Sequence, residues 1–423
     1  MSMKKKLFGI FGPILISAVL LVVFFFAPFK IDLESKHVLA DASTSMATNV
    51  LRGNAIKNKA IGSKEYVPFF GSSELSRISA FHPSVLADKY NRSYRPFLLG
   101  APGTQSLTQA LMMQSMGEDL SHKKVVFIIS PQWFVKNGVS NDYFNAYYSE
   151  LQTYQWVSDL KKVTPDDVYL AKRLMDFPKV KEDKRLASAL NAIISGKLPN
   201  SSDKQYIELM INLFSREDEL FGKIGMISKN KEIKKAEKAL PETYNANELD
   251  QLAAEIGQKA TSNNSFEISN SFYTKRLKKN LNHLENSQTD LDYRFSPEFS
   301  DLQLVLSQLA QDNAEVLFII PPVNKHWSDF TGLSQDMLQE FAKKVKYQLT
   351  SQGFTNIADL TKECNTQYFM ADTIHLGWRG WLDADQRIQP FLEKKSPNTL
   401  NYRLDETFYS KEWQQKEPDD IKN

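Results

Sequence analysis

The residues best able to do chemistry in this chain lie at its two ends. At 69–75 the sequence reads Phe-Phe-Gly-Ser-Ser-Glu-Leu, a short apolar run closed by a Gly-Ser-Ser turn. A serine hydroxyl is a poor nucleophile until a neighbouring base takes its proton. At 372–375 stands Asp-Thr-Ile-His. An aspartate three residues before a histidine can hold one imidazole nitrogen, leaving the other to face a serine. The remaining histidines, His37, His82, His122, His283 and His326, lack this pairing. Ser73, His375 and Asp372 are therefore the candidate nucleophile, base and orienting acid. Each piece also has an ordinary reading: Ser72 and Ser73 as helix caps, Asp372 and His375 as an ion pair.

A serine centre also needs donors for a developing oxyanion, each worth about 2.7–4 kcal/mol in the transition state. Leu99-Gly100-Ala101-Pro102-Gly103-Thr104 and Ser130-Pro131-Gln132-Trp133 each follow an apolar run. The amides of Ser73 and Gly103 and the side chain of Gln132 are the candidates. Glu74 is a candidate for binding a substrate ammonium, with Arg77 its partner in a plain ion-pair reading. Asn324 and Trp327 are candidates for shaping a substrate cleft. No His/Asp/Glu cluster shows metal-ligand spacing, no metal or cofactor is called for, and no Walker-type loop is present.

These residues require a frame that brings position 73 to position 375. Tyr66–Phe70, Phe97–Leu99, Val125–Ile129 and Val316–Ile320 are apolar runs of strand length without polar alternation, the pattern of a parallel sheet covered on both faces. Asn356–Leu360 is a candidate fifth strand. Ser106–Leu120 and Ser334–Gln352 carry apolar residues at helical spacing. Alternating strands and helices predict an α/β fold, a three-layer α/β/α sandwich. A serine at the carboxyl end of the first strand would then sit in the crevice where such sheets bind ligands. Residues 134–300 are too long for a loop and read as a mainly helical insertion. Residues 396–423 read as a polar tail over the surface.

Lys4, Lys5 and Lys6 precede Leu7–Phe29, which carries no charge. Roughly 20 apolar residues cross a bilayer core, and Phe24–Phe29 followed by Lys30 offers only a poor small-x-small cleavage site. The chain is expected to have a cytoplasmic leader (1–6), one transmembrane signal anchor (7–29), a stalk (30–63) and an extracytoplasmic domain (64–395). Of 423 residues, 52 are basic and 50 acidic. Without the three leader lysines the body is almost neutral, which excludes a phosphate-tracking nucleic-acid binder. Cys364 is the sole cysteine, so the fold has no internal disulfide.

In order, the blocks Gly71-Ser72-Ser73, Gly103, Gln132 and Asp372-x-x-His375 resemble the SGNH (GDSL-like) hydrolase superfamily. That resemblance implies a flavodoxin-like sandwich, Ser73 as nucleophile, Gly103 as an oxyanion donor and Asp372 with His375 completing a triad. Ser72 stands where that family has Asp, and Gln132 where it has Asn. Phe-Phe-Gly-Ser-Ser-Glu-Leu-Ser-Arg (69–77), Ser-Pro-Gln-Trp-Phe (130–134), Pro-Pro-Val-Asn-Lys-His-Trp (321–327) and Asp-Thr-Ile-His-Leu-Gly-Trp-Arg-Gly-Trp (372–381) more closely resemble the DltD family of Gram-positive bacteria. That likeness implies D-alanylation of lipoteichoic acid at the outer face of the cell membrane. The implied partners are a D-alanyl carrier protein or acyl intermediate, a membrane-bound O-acyltransferase and membrane lipid. Three readings stay open: a serine acyltransferase acting on poly(glycerol phosphate), an esterase or thioesterase clearing misplaced acyl groups, and a non-catalytic scaffold.

Overall fold

The computed structural model describes residues 3–29, 31–397 and 399–421, without the side chains of residues 3–8, 21 and 26. Its centre is a five-stranded sheet of β1 (Tyr66–Phe70), β2 (Arg95–Leu99), β3 (Lys124–Ile128), β4 (Glu315–Ile320) and β5 (Ile357–Asp359), in the order β2-β1-β3-β4-β5. Every pairing is parallel. Four of these strands were legible as unbroken apolar runs, because burial on both faces removes any need for polar alternation. β3 and β4 are buried at every position after their first. Phe70 stacks on Phe127 at 6.0 Å, and Phe127 meets Phe318 at 5.9 Å. Pro96 lies in β2, an edge strand, where a missing N–H costs no ladder bond on the open side.

The order 2-1-3-4-5 is that of flavodoxin-like sheets, whose ligand crevice opens where the winding reverses, between β1 and β3. Because all strands are parallel, the segments after β1, β2, β3, β4 and β5 emerge on one edge. The candidate residues of each segment are thereby gathered.

Residues 134–300 contain no strand among the described residues. Helices such as Glu150–Asp159, Pro165–Leu174, Ser201–Phe221 and Ala246–Ala260 fill the interval. The predicted helix over 106–120 is split into Ser106–Gln114 and a 3-10 turn at Gly117–Leu120. The segment expected as a stalk packs onto the domain through three helices, Lys36–Ser45, Thr48–Arg52 and Ala55–Gly62. These bury Ala42, Leu51, Ala60 and Ile61 almost completely.

The C-terminal segment is mostly exposed but is pinned to the domain at a few buried side chains. Phe408 and Trp413 are buried and pack edge-on at 4.7 Å, and Trp413 Nε1 donates to Gln348 Oε1. Composition there is polar, but two aromatic side chains suffice to pin the tail to the core.

Met3–Phe26 forms one 24-residue helix, with Ile10, Leu15, Leu20 and Val23 exposed. Its carboxyl end is held by Arg216, which donates to the carbonyls of Phe25, Ala27 and Phe29. Among the described residues, no helix is long and apolar enough to cross a membrane. The side chains of Lys4, Lys5 and Lys6, on which the expected cytoplasmic leader rests, lie outside the described residues.

Candidate active site

The nucleophile turn is built first from backbone. β1 ends at Phe70, and Ser73 opens a short 3-10 turn, Ser73–Ser76. N–H groups in a first turn have no intrahelical acceptor, so the Ser73 amide is placed for an incoming oxygen. The Gly71 carbonyl accepts from Thr104 Oγ1 and Gln109 Nε2, both at 2.7 Å, which fixes the turn against the segment after β2. Gly100 makes that approach feasible, because a Cβ there would come within 2.2 Å of the Gly71 carbonyl oxygen.

The base arrives on a loop closed on itself. Met370 and Leu376 form an antiparallel bridge, and the Ala371 N–H donates to the His375 carbonyl at 2.8 Å. Asn324 N–H holds the Thr373 carbonyl at 3.0 Å, and Ser269 N–H holds that of Ala371 at 2.8 Å. Loop ends from β4 and from the helical insertion thus clamp the histidine loop from two sides.

The result is a continuous chain of hydrogen bonds. Ser73 Oγ lies 2.7 Å from His375 Nε2. His375 Nδ1 lies 2.8 and 2.9 Å from the two Asp372 oxygens. Asp372 Oδ1 also accepts from the N–H groups of Ile374 and His375 at 3.1 and 3.0 Å. Arg77 Nη2 reaches Asp372 Oδ2 at 3.1 Å. Burial opposes ionisation of Asp372, but bonding to His375 and the nearby charges of His375 and Arg77 outweigh it. Its carboxyl is therefore held below the usual range. The buried aspartate is an anion placed to fix the imidazole tautomer, with Nδ1–H inward and Nε2 free to accept from Ser73.

Of the paired serines, only Ser73 faces the imidazole. Ser72 is buried; its Oγ donates to the Ala101 carbonyl at 3.2 Å and accepts from the Gly103 N–H at 3.0 Å. The Gly103 amide, expected as an oxyanion donor, is engaged with Ser72 in this state, and would serve an oxyanion only by releasing that bond. Gly103 has φ +96°, and a Cβ on it would strike the Tyr143 ring at 2.1 Å, so the insertion lies directly against this turn. Gln132 is partly buried, with its Oε1 lacking a hydrogen-bond donor, and none of its described contacts tie it to Ser73.

Three other expectations are corrected by burial. Glu74 is 2% exposed rather than displayed to a ligand; its Oε1 accepts from the Ser72 N–H at 2.6 Å. Burial raises its pKa, so it supports the turn from within. Asn324 caps the helix Lys325–Thr331 through its Oδ1 and donates from Nδ2 to the Phe266 carbonyl. Trp327 is buried and meets Phe266 edge-on at 5.7 Å. Both serve packing between the β4 loop and the insertion, not the cleft rim.

Sequence reading missed Thr104, Gln109 and Glu298. Glu298 Oε1 accepts from the Ser106 N–H at 2.9 Å, across 192 positions of sequence, and burial pushes its carboxyl up to about 8. No local pattern signals such partners.

Fold and site define a class: an α/β protein with a flavodoxin-like parallel sheet, carrying a serine–histidine–aspartate chain at the carboxyl edge of its strands. A family model described as DltD protein matches residues 43–393. The chain is 43% identical over 405 residues to Protein DltD of Lacticaseibacillus rhamnosus, covering 96% of this chain and 95% of that protein. It is 32% identical over 390 residues to Protein DltD of Staphylococcus aureus, covering 89% and 94%. With Protein DltD of Bacillus subtilis it shares 30% over 397 residues, covering 92% and 98%. The chain belongs to the DltD family.

Proposed function

We propose that this chain is a membrane-anchored serine acyltransferase of teichoic acid D-alanylation, passing D-alanine through Ser73 to hydroxyls of poly(glycerol phosphate). The observation that carries the chemistry is the unbroken Ser73–His375–Asp372 hydrogen-bond chain. Its position on the ligand-binding edge of the sheet supports the same reading. Family membership supports the pathway.

The sequence of events follows from the donors and acceptors. His375 Nε2 takes the Ser73 proton as Oγ attacks the carbonyl of a D-alanyl ester or thioester. The oxyanion forms beside the Ser73 N–H, and the leaving group departs with a proton from His375. An acceptor hydroxyl then attacks the D-alanyl-serine, His375 again taking and returning the proton. Transfer prevails over hydrolysis only where the acceptor is held in place ahead of water.

The uncharged run 7–29, part of whose side chains lie outside the described residues, is assigned as the anchor from its sequence, with the lysine-bearing end cytoplasmic and the domain outside. Its exposed apolar side chains and the Arg216 clamp on Phe25, Ala27 and Phe29 support that role. The clamp would set the domain close to the outer surface.

The test is a serine-reactive fluorophosphonate applied to wild type, Ser73→Ala and Ser72→Ala, followed by transfer of labelled D-alanine to polymer. Label lost only in Ser73→Ala, with D-alanine appearing on polymer, is the expected result. D-alanine released only into solution would assign a hydrolase. Full complementation of D-alanylation by Ser73→Ala would leave a scaffold.

A further inference from the structure

At the Asp372 end of the serine centre lies a cavity that the acyl-transfer steps leave unused. It has a volume of about 370 Å³, within the range of small-molecule sites. Arg77, Lys275 and Arg276 contribute to its lining, with the hydroxyl-bearing Ser79, Ser269 and Ser271. Asp372 is the sole acid among the lining residues, and it already faces His375 and Arg77.

Two of the three cations are not consumed elsewhere in the fold, while Arg77 pairs with Asp372. Among the described residues Lys275 and Arg276 enter no ion pair, and both are exposed. Arg77 stands over the Phe272 ring at 5.7 Å, which holds its guanidinium at the cavity wall. The Ser79 Oγ is buried with no hydrogen-bond partner, a polar atom left unsatisfied where buried polar groups are normally paired. Lys275 and Arg276 belong to a π-helical turn, Tyr273–Leu277, and such turns are frequent at functional sites. Three cations around one small cavity, with the Ser269 and Ser271 hydroxyls paired to each other at 3.0 Å on its wall, match an oxyanion with several acceptor oxygens, that is, a phosphate ester.

We propose that this cavity is the docking subsite for a phosphodiester of the acceptor, held by Arg77, Lys275 and Arg276. The proposal rests on the acyl-transfer reading. Arg77 links the two sites physically, because the carboxylate it pairs with is the one that orients His375. A phosphodiester seated there would tether the acceptor chain next to the serine centre, which contributes to the acceptor positioning that transfer requires over hydrolysis. The same chemistry could come from a glycerophosphate polymer, a phosphatidylglycerol headgroup or free phosphate, and the test separates them.

Binding is measured on full-length protein in detergent, in a Ser73→Ala background so that no chemistry intervenes. The probes are a synthetic oligo(glycerol phosphate), phosphatidylglycerol vesicles and inorganic phosphate. The variants are Lys275→Gln/Arg276→Gln and, as a charge-matched control outside the cavity, Lys161→Gln/Lys162→Gln. Loss of two exposed phosphate contacts should weaken oligomer binding by about tenfold. It should also lessen the slope of log affinity against log salt by about 1.4. The control should do neither. Equal oligomer binding by the cavity variant and its parent, or binding confined to vesicles or to inorganic phosphate, overturns the proposal. Failure of the acyl-transfer reading shows separately, as retained D-alanylation by Ser73→Ala.

Discussion

Replacing Asp372 by asparagine tests the site at its most constrained atom. Oδ1 accepts two backbone N–H groups, from Ile374 and His375, at 3.1 and 3.0 Å. The amide oxygen of the substituted side chain must keep that position, so its NH₂ takes the place of Oδ2. That nitrogen then lies 2.9 Å from His375 Nδ1 and 3.1 Å from Arg77 Nη2. Nδ1 then has the NH₂ donor at 2.9 Å beside the retained amide oxygen at 2.8 Å, and with the carboxylate charge gone the balance shifts toward the tautomer whose proton is on Nε2. An Nε2–H cannot take the Ser73 proton across the 2.7 Å contact. The wrong tautomer, with loss of the anion that steadies the imidazolium, should slow acylation by about 10⁴, equivalent to about 5.5 kcal/mol of barrier. The assay is the second-order rate of Ser73 modification by a fluorophosphonate, wild type against Asp372→Asn. Arg77 is 41% exposed at its side chain and can turn to water, so folding stability should fall by only about 1 kcal/mol. A folded Asp372→Asn protein that reacts within about tenfold of wild type would refute the tautomer argument.

Three further outcomes are expected. Gly103→Ala should destabilise by more than the roughly 1–3 kcal/mol typical of a strained left-handed residue, because its Cβ also strikes Tyr143. Adding Tyr143→Ala should recover the steric part in denaturant unfolding, and no recovery would put Tyr143 elsewhere. Arg92→Met leaves the fully buried Asp385 carboxylate without its ion pair (Nη2 to Oδ2 2.7 Å) and should cost about 3–5 kcal/mol, read as a lowered unfolding midpoint. Burial drags the Lys57 ammonium down from 10.5 to about 7. Between those values the unfolded chain binds the extra proton, so Lys57 makes stability rise with pH by about 1.4 kcal/mol per unit. Below about 7 both states are protonated and the effect is flat. Unfolding at pH 8 and 9.5 should therefore separate wild type from Lys57→Met by about 2 kcal/mol in their pH dependence, and parallel curves would show that Lys57 stays charged.

The sequence alone determined what is periodic, contiguous or chemically local. β1, β3 and β4 announced themselves because a strand buried on both faces must be apolar throughout. The three-residue step from Asp372 to His375 kept their contact within one loop, where residue order suffices to propose it. What sequence could not decide is which atoms meet across long separations. Ser73 and His375 are 302 positions apart, and their approach exists because parallel strands deliver every following loop to one edge. Ser72 and Ser73 are chemically alike, and the sheet's geometry alone turns one to the Gly103 amide and the other to the imidazole. The tail from 396 looks polar by composition, yet Phe408 and Trp413 find a core that only tertiary folding creates. Arg77, Lys275 and Arg276 share a cavity because the insertion returns to the histidine loop at Ser269. Local physics writes the elements into neighbouring residues; a surface assembled from distant loops has no such neighbourhood and comes into being only when the chain closes.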